Sequence, residues 1–196
     1  MTAALRCEGL ALQFPGGRRI GPLTLALGPG VHHLTGPNGT GKTTLLRCLC
    51  GGWRASEGTV DVGAAIRATS RRRGRGSRCW RRRRSCRRSS PSTRRGRSWR
   101  RPRRARLGRR ALREALGVPG DLPLGHCSAG QRRRAELLAA AAGDPDVLLM
   151  DEPFANLDPE ATARVVEVVA GWRVARVVVV TSHEALPLPA DSVVAL

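Results

Sequence analysis

Gly36-Pro37-Asn38-Gly39-Thr40-Gly41-Lys42-Thr43-Thr44 joins an apolar strand, VHHLT (31–35), to a short helical run, TTLLRCLCG (43–51). The stretch fits GxxxxGK[ST]. In that spacing the glycines let the backbone wrap closely, and successive N–H groups can point at phosphate oxygens. The helix starting near Lys42 adds the favourable field of its N-terminus. Lys42 is placed to reach a β- or γ-phosphate, and the Thr43 hydroxyl to bind Mg²⁺. Lys42 is also the only lysine in the chain, every other basic residue being arginine. GC-rich coding produces that bias, and a lysine kept against it suggests a role that arginine does not fill. Without its strand and helix, the same stretch would read as a plain glycine-rich turn.

Working outward, VLLMD (147–151) followed by Glu152 is an apolar strand ending in two carboxylates. A carboxylate at the C-terminal edge of a parallel strand faces the crevice where ligands bind. There Asp151 can hold Mg²⁺ through its water shell, and Glu152 can orient and polarise an attacking water. Read alone, the pair is an acidic turn after a core strand. Upstream, Cys127-Ser128-Ala129-Gly130-Gln131 opens a helix. It is either an ordinary serine N-cap or a second anion site at a helix start. Downstream come Ala155-Asn156-Leu157-Asp158 and then Thr181-Ser182-His183, which ends the next apolar strand. His183 lies at the same sheet edge as Asp151, where it can sense a γ-phosphate or serve as a plain structural histidine.

The remaining pattern sets the architecture. LALQF, the turn Pro15-Gly16-Gly17, LTLAL and VHHLT read as strands, and SEGTVDV as a turn and strand. After residue 110, ALREALGV and SAGQRRRAELLAAAAG read as helices, DVLLMD as a strand, ATARVVEVVAGW as a helix, and ARVVVVTS and DSVVAL as strands. Strands that are apolar throughout and alternate with helices predict an α/β fold, a parallel sheet covered on both faces.

At 196 residues the chain suits a single domain, 1–196, with a proper core. Its net charge of +20 would ordinarily suggest a nucleic-acid binder. The charge is local, however: residues 67–113 hold 23 of the 35 basic residues and no acidic one, leaving 12 basic against 15 acidic elsewhere. No run approaches the roughly 18–20 apolar residues that span a bilayer, so no membrane span of its own is expected, and no secretory signal is visible. Cys7, Cys48, Cys50, Cys79, Cys86 and Cys127 form no CxxC pair and match neither a zinc site nor a disulfide framework, which points to reduced thiols in a cytosolic protein.

Taken together, GPNGTGKTT, CSAGQRRR, VLLMDEP, ANLD and TSH resemble the Walker A, signature, Walker B, D-loop and switch-histidine motifs of ABC transporter ATPases. The resemblance covers about residues 1–62 and 111–196. The signature motif separates this family from other P-loop NTPases. Cys127 stands where leucine is usual and Ala129 where glycine is common. The resemblance implies a P-loop NTPase of ABC type, with a mainly parallel core sheet and an N-terminal antiparallel β part. It implies ATP and Mg²⁺ as ligands, with ATP bound along Gly36–Thr43 and Thr44 adding an α-phosphate contact. Two ATPase domains would pair head to tail, as a homodimer or pseudo-dimer, so that Ser128, Gly130 and Gln131 of one cap the nucleotide of the other. Asp158 would communicate across that dimer, Phe14 would stack on adenine or simply pack in the core, and Glu152 and His183 would serve catalysis. The partner would be a separate membrane-spanning transporter subunit. The chain would lie in the cytoplasm, peripheral to the inner face of the membrane. SAGQRRR and DEPFANLD are also similar to the haem-exporter ATPases of cytochrome c maturation, and antibiotic- and lipid-type exporters share these features.

A soluble ABC-type ATPase acting on nucleic acid or ribosomes is the alternative. Chromosome-maintenance relatives place hundreds of residues between Walker A and Walker B, where here Lys42 and Asp151 are 109 apart, and translation-type relatives carry two cassettes. No nucleic-acid partner is therefore expected.

Between the two matching parts, residues 67–106 contain no Leu, Ile, Val, Phe or Met and are expected to form neither a buried helix nor a strand, and so to be disordered. The family carries a glutamine loop and a helical subdomain in this region, but the only glutamines here are Gln13 and Gln131. Out-of-frame GC-rich DNA yields mostly Arg, Gly, Ser, Pro, Ala, Cys and Trp, which with two threonines is the whole composition of this segment. A compensated frameshift accounts for this best. The other readings are a nucleic-acid arm, with Trp80 and Trp99 stacking among arginines, and a basic surface for anionic lipid. Translating codons 64–112 of the gene in its other two frames is expected to show a normally patterned, glutamine-containing segment; stop codons in both frames would defeat the frameshift.

Overall fold

The computed structural model describes residues 5–14, 16–62, 66–69, 108–120, 126–142 and 145–196. Among them the chain forms β1 (Leu5–Gln13), β2 (Arg19–Leu27), β3 (Gly30–Thr35), α1 (Lys42–Leu49), β4 (Glu57–Val62) and β5 (Ile66–Thr69). Then follow α2 (Arg109–Ala115), α3 (Ala129–Ala141), β6 (Val147–Asp151), α4 (Pro159–Trp172), β7 (Val177–Thr181) and β8 (Ser192–Ala195). β2, β1 and β4 make an antiparallel sheet in that order, and a five-stranded parallel sheet runs β5-β6-β7-β3-β8. The predicted α/β architecture with an antiparallel β part is the architecture observed.

The apolar strands β6 and β7 serve two cores at once because successive side chains point to opposite faces. Val147, Leu149, Val177 and Val179 join one cluster with β1, β2 and α1. Leu148, Met150, Val178 and Val180 join the other, with α2, α3 and α4. A strand polar on alternate positions would leave one layer without its core, which is why these two are apolar throughout. Burying each such side chain contributes about 1.5–3 kcal/mol.

The helices are set by their ends and their apolar spacing. α4 starts with Asp158 as N-cap, its carboxylate accepting from Ala161 N at 2.7 Å, and with Pro159 at the first position. Its buried residues Ala161, Val165, Val168, Val169 and Trp172 recur at helical spacing. α3 opens on a capping box: Ser128 Oγ accepts from Gln131 N, and Gln131 Oε1 accepts from Ser128 N.

Two sequence expectations change. Strand β1 begins at Leu5, well before LALQF, because β2 and β4 pair with it along nearly its whole length. Arg67–Thr69, within the stretch expected to be disordered, lies in β5, an edge strand paired in parallel with Val147–Met150. An edge strand is held by its main-chain ladder, which the missing apolar side chains do not affect. The rest of the arginine-rich segment, with Cys79, Cys86, Trp80 and Trp99, lies outside the described residues. Among the described residues, Cys7, Cys48, Cys50 and Cys127 form no disulfide. No helix among the described residues is long and apolar enough to cross a membrane.

Asp191 ties the last strand to the sheet. Its carboxylate accepts from Val31 N at 2.7 Å and from Arg173 Nη2 at 2.5 Å, close against Gly30, where a Cβ would approach within 2.9 Å of it. The Arg173 hydrogen bond, with help from Val31 N–H, holds the Asp191 carboxyl below its ordinary value of 3.8. A lowered folded value means that the stabilisation is complete above 3.8 and is lost as pH falls through that lower value. Asp191→Asn is therefore expected to lower the thermal midpoint at pH 7 and to converge on the parent protein in acid; a gap that persists undiminished in acid would show that the charge is not the cause.

Candidate functional site

The site forms where the C-terminal ends of β3, β6 and β7 meet. The parallel register sets Leu34 and Asp151 each opposite Thr181, so the loop after β3 and the carboxylates after β6 share one sheet edge. Gly36, Gly39 and Gly41 all have positive φ (151°, 82° and 100°), a backbone path that side-chain-bearing residues rarely follow. At Gly41 a Cβ would also collide with Ile20 Cδ1 at 2.0 Å. Thr40 closes the turn on Pro37 O through both its hydroxyl (2.9 Å) and its N–H (3.3 Å). Lys42 is buried, and its Nζ donates to Gly36 O at 2.5 Å and Pro37 O at 3.2 Å, which holds the ammonium within the loop.

α1 starts at Gly41 with no side-chain cap and no acidic residue in its first turn. The first N–H groups of any helix lack intrahelical acceptors, so an uncapped start beside a buried ammonium is a place for an anion. This donor set and the glycine path suit a polyphosphate. Thr43 Oγ1 donates to Asp151 Oδ1 at 3.1 Å. A hydroxyl and one carboxylate are the hard oxygen donors with which Mg²⁺ is commonly held beside phosphate. Among the described residues no group of three or more His, Cys, Asp or Glu offers an all-protein metal cage.

A hydrogen-bonded chain continues from Asp151. Thr181, fully buried, donates from Oγ1 to Asp151 Oδ1 at 2.8 Å and accepts from Glu152 N at 3.0 Å. Glu152 adopts φ 50°, an uncommon conformation for a non-glycine residue, and its Oε1 lies 2.8 Å from His183 Nδ1. His183 and Glu152 are both partly exposed, with side-chain exposures of 44% and 27%. A carboxylate carried by a buried strand end and paired to an accessible imidazole can accept a proton from a nearby water.

Thr43, Asp151, Glu152 and His183 are thus brought together, with Lys42 in the adjoining loop. Phe14 lies beside that loop, its Cζ 3.5 Å from a Cβ built on Gly41, and its ring pairs with Trp53 at 6.2 Å between centroids. Asn38 and Thr44 lie within the loop and the first turn of α1. Ser128 and Gln131 are engaged with each other in the capping box, and among the described residues no hydrogen bond joins them to the loop around Lys42. Gly130 packs against the segment after Glu152, where a Cβ would meet Asn156 O at 3.2 Å and Leu157 Cδ2 at 3.4 Å. Asp158 is occupied as the N-cap of α4. From sequence alone Thr181 reads as part of a strand end, and Trp53 does not stand out. Thr181 had a signal: it is the lone hydroxyl closing an apolar strand that runs beside the strand of Asp151.

The chain is 32% identical over 208 residues to the "Cobalt import ATP-binding protein CbiO" of Rhodobacter capsulatus, covering 97% of this chain and 73% of that protein. It is 30% identical over 193 residues to the "Cytochrome c biogenesis ATP-binding export protein CcmA" of Pseudomonas putida, covering 95% of this chain and 92% of that protein. Across such relatives the chain spans from 43% to 94% of their length. Its fold matches a dimeric post-hydrolysis structure of the ATP-binding cassette MJ0796 bound to ADP and Pi, with a TM-score of 0.65, 15% identity, and coverage of 92% of this chain and 88% of that one. Residues 22–155 match the family model described as "ABC transporter", and the chain belongs to that family, among its ATP-binding subunits.

Proposed function

We infer that residues 1–196 form one ATPase domain that binds ATP with Mg²⁺ and hydrolyses it to drive a separate membrane-spanning partner. The observation that carries this reading is the continuous chain Thr43–Asp151–Thr181–Glu152–His183, which joins a glycine-rich anion loop to a carboxylate at one sheet edge. Lys42, with the N–H groups from Gly36 to Thr43, holds the β- and γ-phosphates, and Thr44 adds the α-phosphate contact. Thr43 and Asp151 hold Mg²⁺. When bound, the ion neutralises charge that builds on the phosphate oxygens. Glu152 orients the attacking water and takes its proton, while His183 fixes the Glu152 carboxylate through their 2.8 Å bond and contacts the γ-phosphate. Phe14 supports the adenine ring.

Ser128, Gly130 and Gln131 act on the nucleotide of a second ATPase domain, homologous or identical, in a head-to-tail dimer. The capping box, which engages Ser128 and Gln131 with each other, supports that role, and the Gly130 contact with Asn156 and Leu157 links the capping helix to the segment leading to Asp158. Closure on ATP and reopening after hydrolysis then turn nucleotide state into movement of the partner. The subunit lies in the cytoplasm at the inner face of the membrane, and the solute is selected by the membrane partner.

Removing a positioned general base costs roughly 10²–10⁴-fold in rate. Glu152→Gln is expected to lower ATP turnover by about that factor while leaving equilibrium binding of a fluorescent ATP analogue unchanged. Lys42→Ala is expected to lose the binding itself. Undiminished hydrolysis in the Glu152 variant would remove its assignment.

A further inference from the structure

Thr181 makes contacts that the assignments above leave without a purpose, and the inference drawn from it rests on the ATPase reading. Its side chain is fully buried at the end of β7 and bonded to both members of the neighbouring carboxylate pair. Oγ1 donates to Asp151 Oδ1 at 2.8 Å, and the same oxygen accepts from Glu152 N at 3.0 Å, while Glu152 N also reaches Thr181 O at 3.2 Å. A hydroxyl is the one small group that can donate to a carboxylate and accept from an amide at once. Valine, its isostere, can do neither.

Both bonds act where position matters. Asp151 Oδ1 receives hydroxyls from two sides, Thr43 from the loop and Thr181 from the sheet, which pins the carboxylate between α1 and β7. Glu152 sits at φ 50°, and a conformation of this kind persists only when its surroundings over-determine it. Its N–H is held by Thr181, and its carboxylate by His183 two residues further along the same chain segment. The end of β7 therefore grips Asp151 at its side chain and Glu152 at both its backbone and its side chain.

We propose that Thr181 is a positioning residue for the reaction: through one hydroxyl it sets the Asp151 carboxylate for the metal ion and the Glu152 backbone for the attacking water. It touches neither nucleotide nor metal itself. The turn around Lys42 closes on its own Gly36 and Pro37 carbonyls, and among the described residues Thr181 reaches it only through Asp151, so metal-free nucleotide binding should be insensitive to its loss.

The test uses the full chain and its Thr181→Val, Thr181→Cys and Thr181→Ser variants. Mn²⁺ retained with ATP is read by electron paramagnetic resonance, alongside hydrolysis, metal-free affinity for a fluorescent ATP analogue, and the thermal midpoint. Hydrogen bonds to charged groups of this strength correspond to about ten- to hundredfold. Thr181→Val is expected to weaken Mn²⁺ retention and slow hydrolysis within that range while leaving metal-free affinity as in the parent. Thr181→Ser should restore both, and Thr181→Cys, of similar volume but a weak donor, should behave like valine and stands in for it if the valine variant does not fold. Parental Mn²⁺ retention and rate in the folded valine or cysteine variant would overturn the proposal, as would a serine variant as impaired as valine, since the methyl packing would then be the cause. Lys42→Ala run in parallel separates the two levels. If it loses nucleotide while the Thr181 variants match the parent, only the role of Thr181 falls; a parent chain that holds no nucleotide overturns both.

Discussion

The carboxylate of Asp151, held by Thr43 from the loop and Thr181 from the neighbouring strand, is the junction on which the rest of this architecture depends. A glycine-rich loop by itself has many conformations. Here it is anchored at one end by β3 in the sheet and at the other by α1, whose first turn bonds to the end of β6. The same junction makes the loop and the carboxylates a single site, because β6, β7 and β3 are adjacent and parallel and so end on the same edge. Ligands of open α/β sheets bind at such edges because loops and helix starts converge there.

The sheet that carries the junction is itself held by two cores that share its central strands. Val147, Leu149, Val177 and Val179 face the antiparallel layer and α1, and Leu148, Met150, Val178 and Val180 face α2, α3 and α4. Displacing a strand end would therefore disturb two packed layers, and dense packing resists such shifts. The polar groups of the site sit at the very ends of these apolar runs: Asp151 follows Met150, and Thr181 follows Val180. Placing polar residues only at the strand ends keeps the cores dry and puts the hydroxyl and carboxylates where a charged ligand can reach them.

The arginine-rich stretch begins inside this frame. Its first residues, Arg67–Thr69, extend the sheet as the edge strand β5, paired in parallel with β6. Apart from residues 67–113 the chain is slightly acidic, so the strong basicity is no property of the folded sheet. The residues that build the site come from both sides of that stretch, from Phe14 to Thr44 and from Asp151 to His183, and the parallel sheet brings them together.

Much of this was legible in the residues alone. GPNGTGKTT between a strand and a helix dictates an anion loop, because its glycines have the required backbone freedom and its lysine and threonine the required chemistry. Apolar strands alternating with helices dictate a parallel sheet covered on both faces, since no other arrangement buries both sides of VLLM and VVVV. Ser128 was legible as a helix start, and its capping geometry is local. Other features were decided only in three dimensions. The order β5-β6-β7-β3-β8, which sets Thr181 against Asp151, follows from how the layers pack and is written in no local pattern. The aromatic pair of Phe14 and Trp53, the contact of Gly130 with Asn156 and Leu157, and the hold of Asp191 on Val31 and Arg173 each join residues far apart along the chain. Local propensity acts over a few residues, whereas such partners are chosen by which surfaces the closed sheet brings within reach.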